Sequence, residues 1–255
     1  MKALTLIAAA MLLVNSVNTF ADNNNAILFQ VGDGNMGVAD QSDPTIQNNL
    51  IVQSQIGSSN DSDASQTTGT SNSVATHRQA GELNDSESTQ RNDTSWSSIF
   101  IKQVGSRNDA ITRQDAAISN SILISQIGSM NIGAITQDSV TASTGFISQA
   151  GSLNLAIINQ SDAMVSTGWI YQSGSMNQAF VRQFSNTTES SVLIRQEGST
   201  NTADAEQLID VTTSSVLIDQ IGSNHAKASQ SVDVTGSRSW ISQSGSNQAI
   251  NPVAL

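Results

Sequence analysis

The chain has 255 residues, with 10 Lys and Arg against 21 Asp and Glu, two His and no Cys. Its formal net charge of −11 disfavours nucleic acid and anionic lipid as partners, and the absence of Cys excludes a disulfide scaffold. Few aromatic residues among abundant Ser, Asn, Gln and Thr would suit disorder, but a disordered chain has no reason to hold the strict periodicity that begins at residue 24.

Residues 1–21 read as a secretory signal peptide. Lys2 supplies a positive start, Ala3 to Val14 form an apolar run too short to span a bilayer, and Thr19-Phe20-Ala21 offers a small-residue cleavage site. Their removal takes away Lys2 and no acid, moving the charge from −11 to −12. No later stretch approaches the roughly 20 apolar residues of a membrane helix. The expectation is an exported protein with no transmembrane helix, whose residues 22–255 form one domain of ten repeats over about 24–251.

Each repeat carries Gln-x-Gly-x-x-Asn and a second Gln six residues after the Asn. The copies begin with Gln30, Gly32, Asn35, Gln41, then Gln55, Gly57, Asn60, Gln66, then Gln79, Gly81, Asn84, Gln90. They continue with Gln103, Gly105, Asn108, Gln114, then Gln126, Gly128, Asn131, Gln137, then Gln149, Gly151, Asn154, Gln160. Next come Gln172, Gly174, Asn177, Gln183 and Gln196, Gly198, Asn201, Gln207. The last two, Gln220, Gly222, Asn224, Gln230 and Gln243, Gly245, Asn247, have one residue fewer before the Asn, and Val253 stands where the tenth closing Gln would fall. First glutamines lie 23 to 25 residues apart, a period that marks a repeat architecture.

Around these anchors the chain alternates with period two. Six residues before the first Gln stands Ser or Asn in every copy (Asn24, Asn49, Ser73, and so on to Ser237), and two before it stands mostly Ile. Two residues after the Asn the column is small throughout, from Gly37 to Ala249. These positions share parity with the glutamines and would point to one face of a strand. Linkers of 5 to 7 residues suffice for a turn and are too short for a helical crossover. The predicted fold is all-β: a β-solenoid of ten strand-arc-strand rungs forming two parallel stacked sheets, amyloid-like, about 48 Å long at ~4.8 Å per rung. Ladders of Gln and Asn would satisfy one another's amides across rungs, with the glycines turning the arc.

The series Ser-x5-Gln-x-Gly-x-x-Asn-x-Ala-x3-Gln resembles the repeat of curlins, the subunits of bacterial curli amyloid fibres. It is nearly complete at Ser166, Gln172, Gly174, Asn177, Ala179, Gln183 and again at Ser190, Gln196, Gly198, Asn201, Ala203, Gln207, and it covers essentially residues 24–250. The resemblance implies a self-polymerising subunit of cell-surface biofilm-matrix fibres, other curlin-like subunits as partners, and export through an outer-membrane secretion pore with accessory proteins. Familiar curlins carry about half as many repeats and a non-repeat segment after the signal peptide, which has no counterpart here. The alternatives are a minor nucleator subunit, or a monomeric secreted solenoid that binds ice or carbohydrate.

Outside the ladder three features stand out. A column three residues before each first Gln includes Phe100, Phe146, Trp169 and Trp240, faces away from the core by parity, and is a candidate lateral contact. Asp61, Asp85 and Asp109 would stack in one column and Asp63 and Glu87 in another, an arrangement of like charges that suits either a brake on assembly or a solvated face. His77 and Gln53 interrupt the Ile column and mark weaker rungs. No Gly-x-Ser-x-Gly, His-Glu-x-x-His or phosphate loop occurs, so no catalytic residue, metal or cofactor is expected.

Overall fold

The computed structural model describes residues 9–10, 23–250 and 253–254, with side chains from 23 to 246. It is an all-β solenoid of about 9 turns. Each turn begins with a strand such as Ser121–Ser129, bends, and returns as a second strand such as Ile132–Asp138. From rung to rung, first strands pair with first strands, parallel and in register: Gln126 lies over Gln103 and under Gln149, and Gly128 between Gly105 and Gly151. Second strands do the same, with Gln137 between Gln114 and Gln160. The expected two-sheet stack of the repeats is thus observed.

Alternation sends the expected columns inward. Ile101, Ile124, Ile147, Ile170, Ile194 and Ile218 are fully buried, as are Ala156, Ala179 and Ala203 across the thin core. Each such Ile contributes about 2–3 kcal/mol by leaving water. The apolar core is not continuous, however. One cluster runs from Ile99 to Ile241, and a separate small one holds Ala26, Ile51, Ala64 and Ala75. Gln53 and His77 lie in the gap.

The linkers do more than connect. Three residues before each Ser or Asn, a side chain turns inward: Ile46, Thr70, Thr94, Ala117, Val140, Ala163, Thr187, Val211 and Val234 are all buried. The next residue in each linker bridges to its equivalent in the rung above, from Gln47 with Ser71 to Thr212 with Thr235. The linker corner is therefore a third, short wall of the solenoid.

The tenth repeat departs from its expected register. His225 pairs with Ala249 and Ala226 with Ile250, so two residues, Asn247 and Gln248, stand opposite Asn224. This extra residue is a bulge, and it moves the tenth closing position from Val253 to Ala254, which lies over Gln230. Ten first strands but only nine complete turns result. The signal-peptide reading of residues 1–21 lies outside the described residues apart from a two-residue strand, Ala9–Ala10, antiparallel to Gln30 and Val31.

The arc glycines have φ between +109° and +126°. A Cβ on Gly128 would sit 1.9 Å from the carbonyl oxygen of Gly151, with no side chain between that could give way. Gly128→Ala should therefore cost about 2–4 kcal/mol, read as a lowered urea midpoint. Gly236→Ala, at φ +67° with open space around it, should cost only about 1 kcal/mol. Equal losses at the two sites would refute the close-approach explanation.

Candidate functional site: side-chain ladders and open ends

Strand alternation places the three anchor residues of every repeat in vertical rows. In the first-Gln row each Nε2 donates to the Oε1 of the next rung, from Gln30 to Gln55 at 2.6 Å through Gln126 to Gln149 at 2.9 Å and finally Gln220 to Gln243 at 2.9 Å. The same amides donate a second time across the core to second-strand carbonyls, as Gln126 does to Asp109 O at 2.8 Å. The closing row behaves alike, from Gln41 to Gln66 at 2.6 Å to Gln207 to Gln230 at 2.9 Å. The interior glutamines of both rows are buried, so every step replaces water with an amide partner.

The Asn row runs the other way. Asn84 Nδ2 donates back to Asn60 Oδ1 at 2.9 Å and Asn154 Nδ2 to Asn131 Oδ1 at 3.0 Å. It also donates forward to the arc carbonyl of the next rung, as Asn84 does to Gly105 O at 3.0 Å and Asn131 to Gly151 O at 3.1 Å. This explains the Gly-x-x-Asn spacing: the arc brings the amide under the carbonyl that glycine leaves open. Asn224, in the shortened arc, keeps the bond from its backbone N to Asn201 Oδ1 at 2.9 Å and the forward bond from its amide to Gly245 O at 3.2 Å, and its amide also donates to Ile221 O at 2.8 Å. The side chain of Asn247 lies outside the described residues.

The ends follow from the direction of the rows. At the first described rung Gln41 Oε1 has no donor among the described residues. At the last, Gln243 Nε2 donates to His225 O at 3.1 Å and, among the described residues, lacks the onward bond that the other first glutamines make. In the two Gln rows the first end therefore presents acceptors and the last end donors, and the Asn row has the reverse polarity.

The outward column is observed as expected in place, with Phe100, Leu123, Phe146, Trp169, Leu193, Leu217 and Trp240 stacked on one another. Its exposure is uneven. Trp169 and Trp240 are 41% and 73% exposed, whereas Phe100 and Phe146 are half-buried because neighbours one rung away cover their sides. Phe146 packs against Tyr171 at 5.1 Å between ring centroids, and Arg78 lies 5.6 Å over Phe100. The second-strand face has an apolar patch that parity alone left unnoticed, including Ile132, Leu155, Ile157 and Phe180. Met130, Leu153 and Met176 extend it round the arc, at φ near +55° and 41–49% exposed.

The acidic columns also stack as expected: Asp61 on Asp85 on Asp109, and Asp63 on Glu87. Partial burial pushes the Asp85 carboxyl above the usual range, with Asp109, Asp61, Glu87 and Asp63 adding repulsion. Asp63 is raised by burial and then by Asp61 and Asp40, and Asp109 by burial. Among the described residues no group of three or more His, Asp or Glu is arranged to hold a metal ion.

His77 is enclosed by hydroxyls. Its Nδ1 lies 2.9 Å from Ser62 Oγ and 3.1 Å from Ser86 Oγ, and its Nε2 lies 2.8 Å from Ser88 Oγ. Gln53 donates to Val38 O and Ser62 O, but its Oε1 is left unpaired. Sequence reading marks these rungs as weak; the serines that accommodate the ring are evident only once the second strand is laid opposite.

No family model matches the chain, and no curated protein shows significant similarity to it. Among the described residues no helix is long and apolar enough to cross a membrane.

Burial lowers the His77 pKa from 6.5 to about 3. The unfolded chain then binds a proton that the folded chain refuses, so the His77 contribution is complete above pH 6.5 and is lost as pH falls towards 3. Between these limits stability should fall by about 1.4 kcal/mol per pH unit, a slope that His77→Ile abolishes in urea melts. The raised acids act oppositely and nearer pH 4, since their folded forms hold protons more tightly. Asp85→Asn should therefore stabilise the neutral-pH protein, by a few tenths of a kcal/mol, and have no such effect at pH 3.

Proposed function

We propose that this chain is an exported structural subunit that assembles end to end into an extracellular amyloid-like fibre of the curli type, serving adhesion and the biofilm matrix. The observation that carries the reading is the unfinished first-Gln row: at one end Gln243 Nε2 makes no onward bond among the described residues, and at the other the row begins at Gln30, which donates to Gln55. A second copy placed head to tail continues the first-Gln row from Gln243 of one copy to Gln30 of the next. Backbone edges of parallel strands do the same, as any open sheet edge invites. Cleavage after Ala21 would remove the Ala9–Ala10 strand from Gln30 and Val31 and free the first edge.

Each subunit adds about 48 Å to the fibre axis. The junction is weaker than an interior step. Ala254 occupies the tenth closing position and has no amide to offer Gln41. That imperfection also suits the minor-nucleator alternative, in which one end starts growth and the other is seldom extended. Secretion through an outer-membrane pore, accessory proteins and other curlin-like subunits enter this proposal through the repeat resemblance.

Residues 22–255, diluted from denaturant, should bind thioflavin and form rods in electron micrographs, and sheared rods should seed fresh chain without a lag. A chain that stays monomeric and dark to thioflavin would overturn the fibre-subunit reading.

A further inference from the structure

The two outer faces of the solenoid differ, and the difference is ordered along the axis. On the first-strand face of the third and fourth rungs, Arg78 and Lys102 are stacked, exposed and, among the described residues, without an ion pair. On the second-strand face of the second to fourth rungs, Asp61, Asp63, Asp85, Glu87 and Asp109 likewise have no cation paired to them. Several other charges on the two faces are paired within one face: Arg182 and Lys227 hold Asp204 and Glu206 at 2.5 to 3.6 Å, Arg195 faces Glu197, and Asp115 takes Arg91 and Arg113, while Asp138 is stacked on the paired Asp115 and Asp219 on Arg195.

Both unpaired groups lie beside the glycine arc. The cations stand one residue before the first Gln, and the acids one or three residues after the Asn. Above them, in rungs four to seven, both faces turn apolar: Phe100, Phe146 and Trp169 on one, Ile132, Leu155, Ile157 and Phe180 on the other.

We infer that the first-strand face of one solenoid docks on the second-strand face of a second copy, side by side, with axes parallel and rungs at the same height. A simple translation perpendicular to the sheets sets Arg78 and Lys102 against the acidic columns and the aromatic column against the Ile and Phe patch. Neither reversal of the axis nor pairing of like faces does this, because acid would then meet acid or an apolar patch. Second strands of seven residues, about 23 Å long, over seven rungs of ~4.8 Å offer about 800 Å² on each partner, the scale of a stable interface. The contact uses a different surface on each copy, so it does not close and repeats from stack to stack. It deepens the end-stacking reading and rests on it for the length of face presented: elongation adds rungs, and this contact binds finished stacks into bundles.

The test is a charge swap. Arg78→Glu with Lys102→Glu makes both faces acidic at this height, and Asp61→Lys, Asp63→Lys, Asp85→Lys, Glu87→Lys and Asp109→Lys together make both basic. Each variant alone should elongate with native thioflavin kinetics yet give single stacks in electron micrographs, where the unaltered chain gives bundles. Mixed after elongation, the two should bundle again, alternating, and high salt should part them. Native-like bundling by either variant alone, or no bundling in the mixture, overturns the inference. Should the unaltered chain never elongate, the end-stacking reading falls by itself. The mixture is then examined as single solenoids by sedimentation, and the absence of a one-to-one complex between the two variants overturns the lateral contact.

Discussion

The amide rows are the interaction on which the rest of the structure depends. A buried Gln side chain costs several kcal/mol if its donors and acceptor are left unpaired. Here the only economical partner for each amide is its own equivalent one rung away, because rows of unlike residues would not present donor over acceptor at the sheet spacing. That requirement fixes the repeat length to a whole turn and forbids a register slip. It also opposes the Gln rows to the Asn row in direction. The hydrophobic columns add most of the driving force, but Ile on Ile tolerates small displacements that Gln on Gln does not.

Much of this could be read from the sequence. The inward parity of Gln126, Ile124 and Asn120 follows from spacing alone, and so does the vertical alignment of Asp61, Asp85 and Asp109. What escaped was whatever depends on pairing across the rung or on counting from the other side. The buried linker column from Ile46 to Val234 is hidden when repeats are aligned on the preceding Gln, because the linker varies in length. It appears at once when they are aligned on the following Ser or Asn. The hydroxyl cage of His77 needs the second strand opposite the first, and the bulge at Asn247 is a choice between two registers that the composition of the last repeat leaves nearly equal.

Strength is unevenly distributed along the axis. The long apolar cluster begins at Ile99, so the first three rungs depend on Ile51, small alanines and polar contacts. The same rungs hold the stacked acids on the outside and the titratable ring within. Unpaired exterior charge, a thin core and an orphan Gln53 oxygen coincide in one third of the solenoid, making it the segment where opening should begin. The rungs from the fifth to the ninth combine a filled Ile column with outer faces that are largely apolar or carry paired charges.

The glycine spine has a consequence for length. Each arc touches only the arcs above and below, through a carbonyl approach that any two copies of the repeat reproduce. A duplicated repeat could therefore be inserted at almost any interior point and disturb a single seam, whereas a one-residue insertion within a repeat would disturb every row it crosses. Such a molecule has no preferred size. Its length records how many copies the gene holds, and changing that count is the easiest large alteration its fold permits.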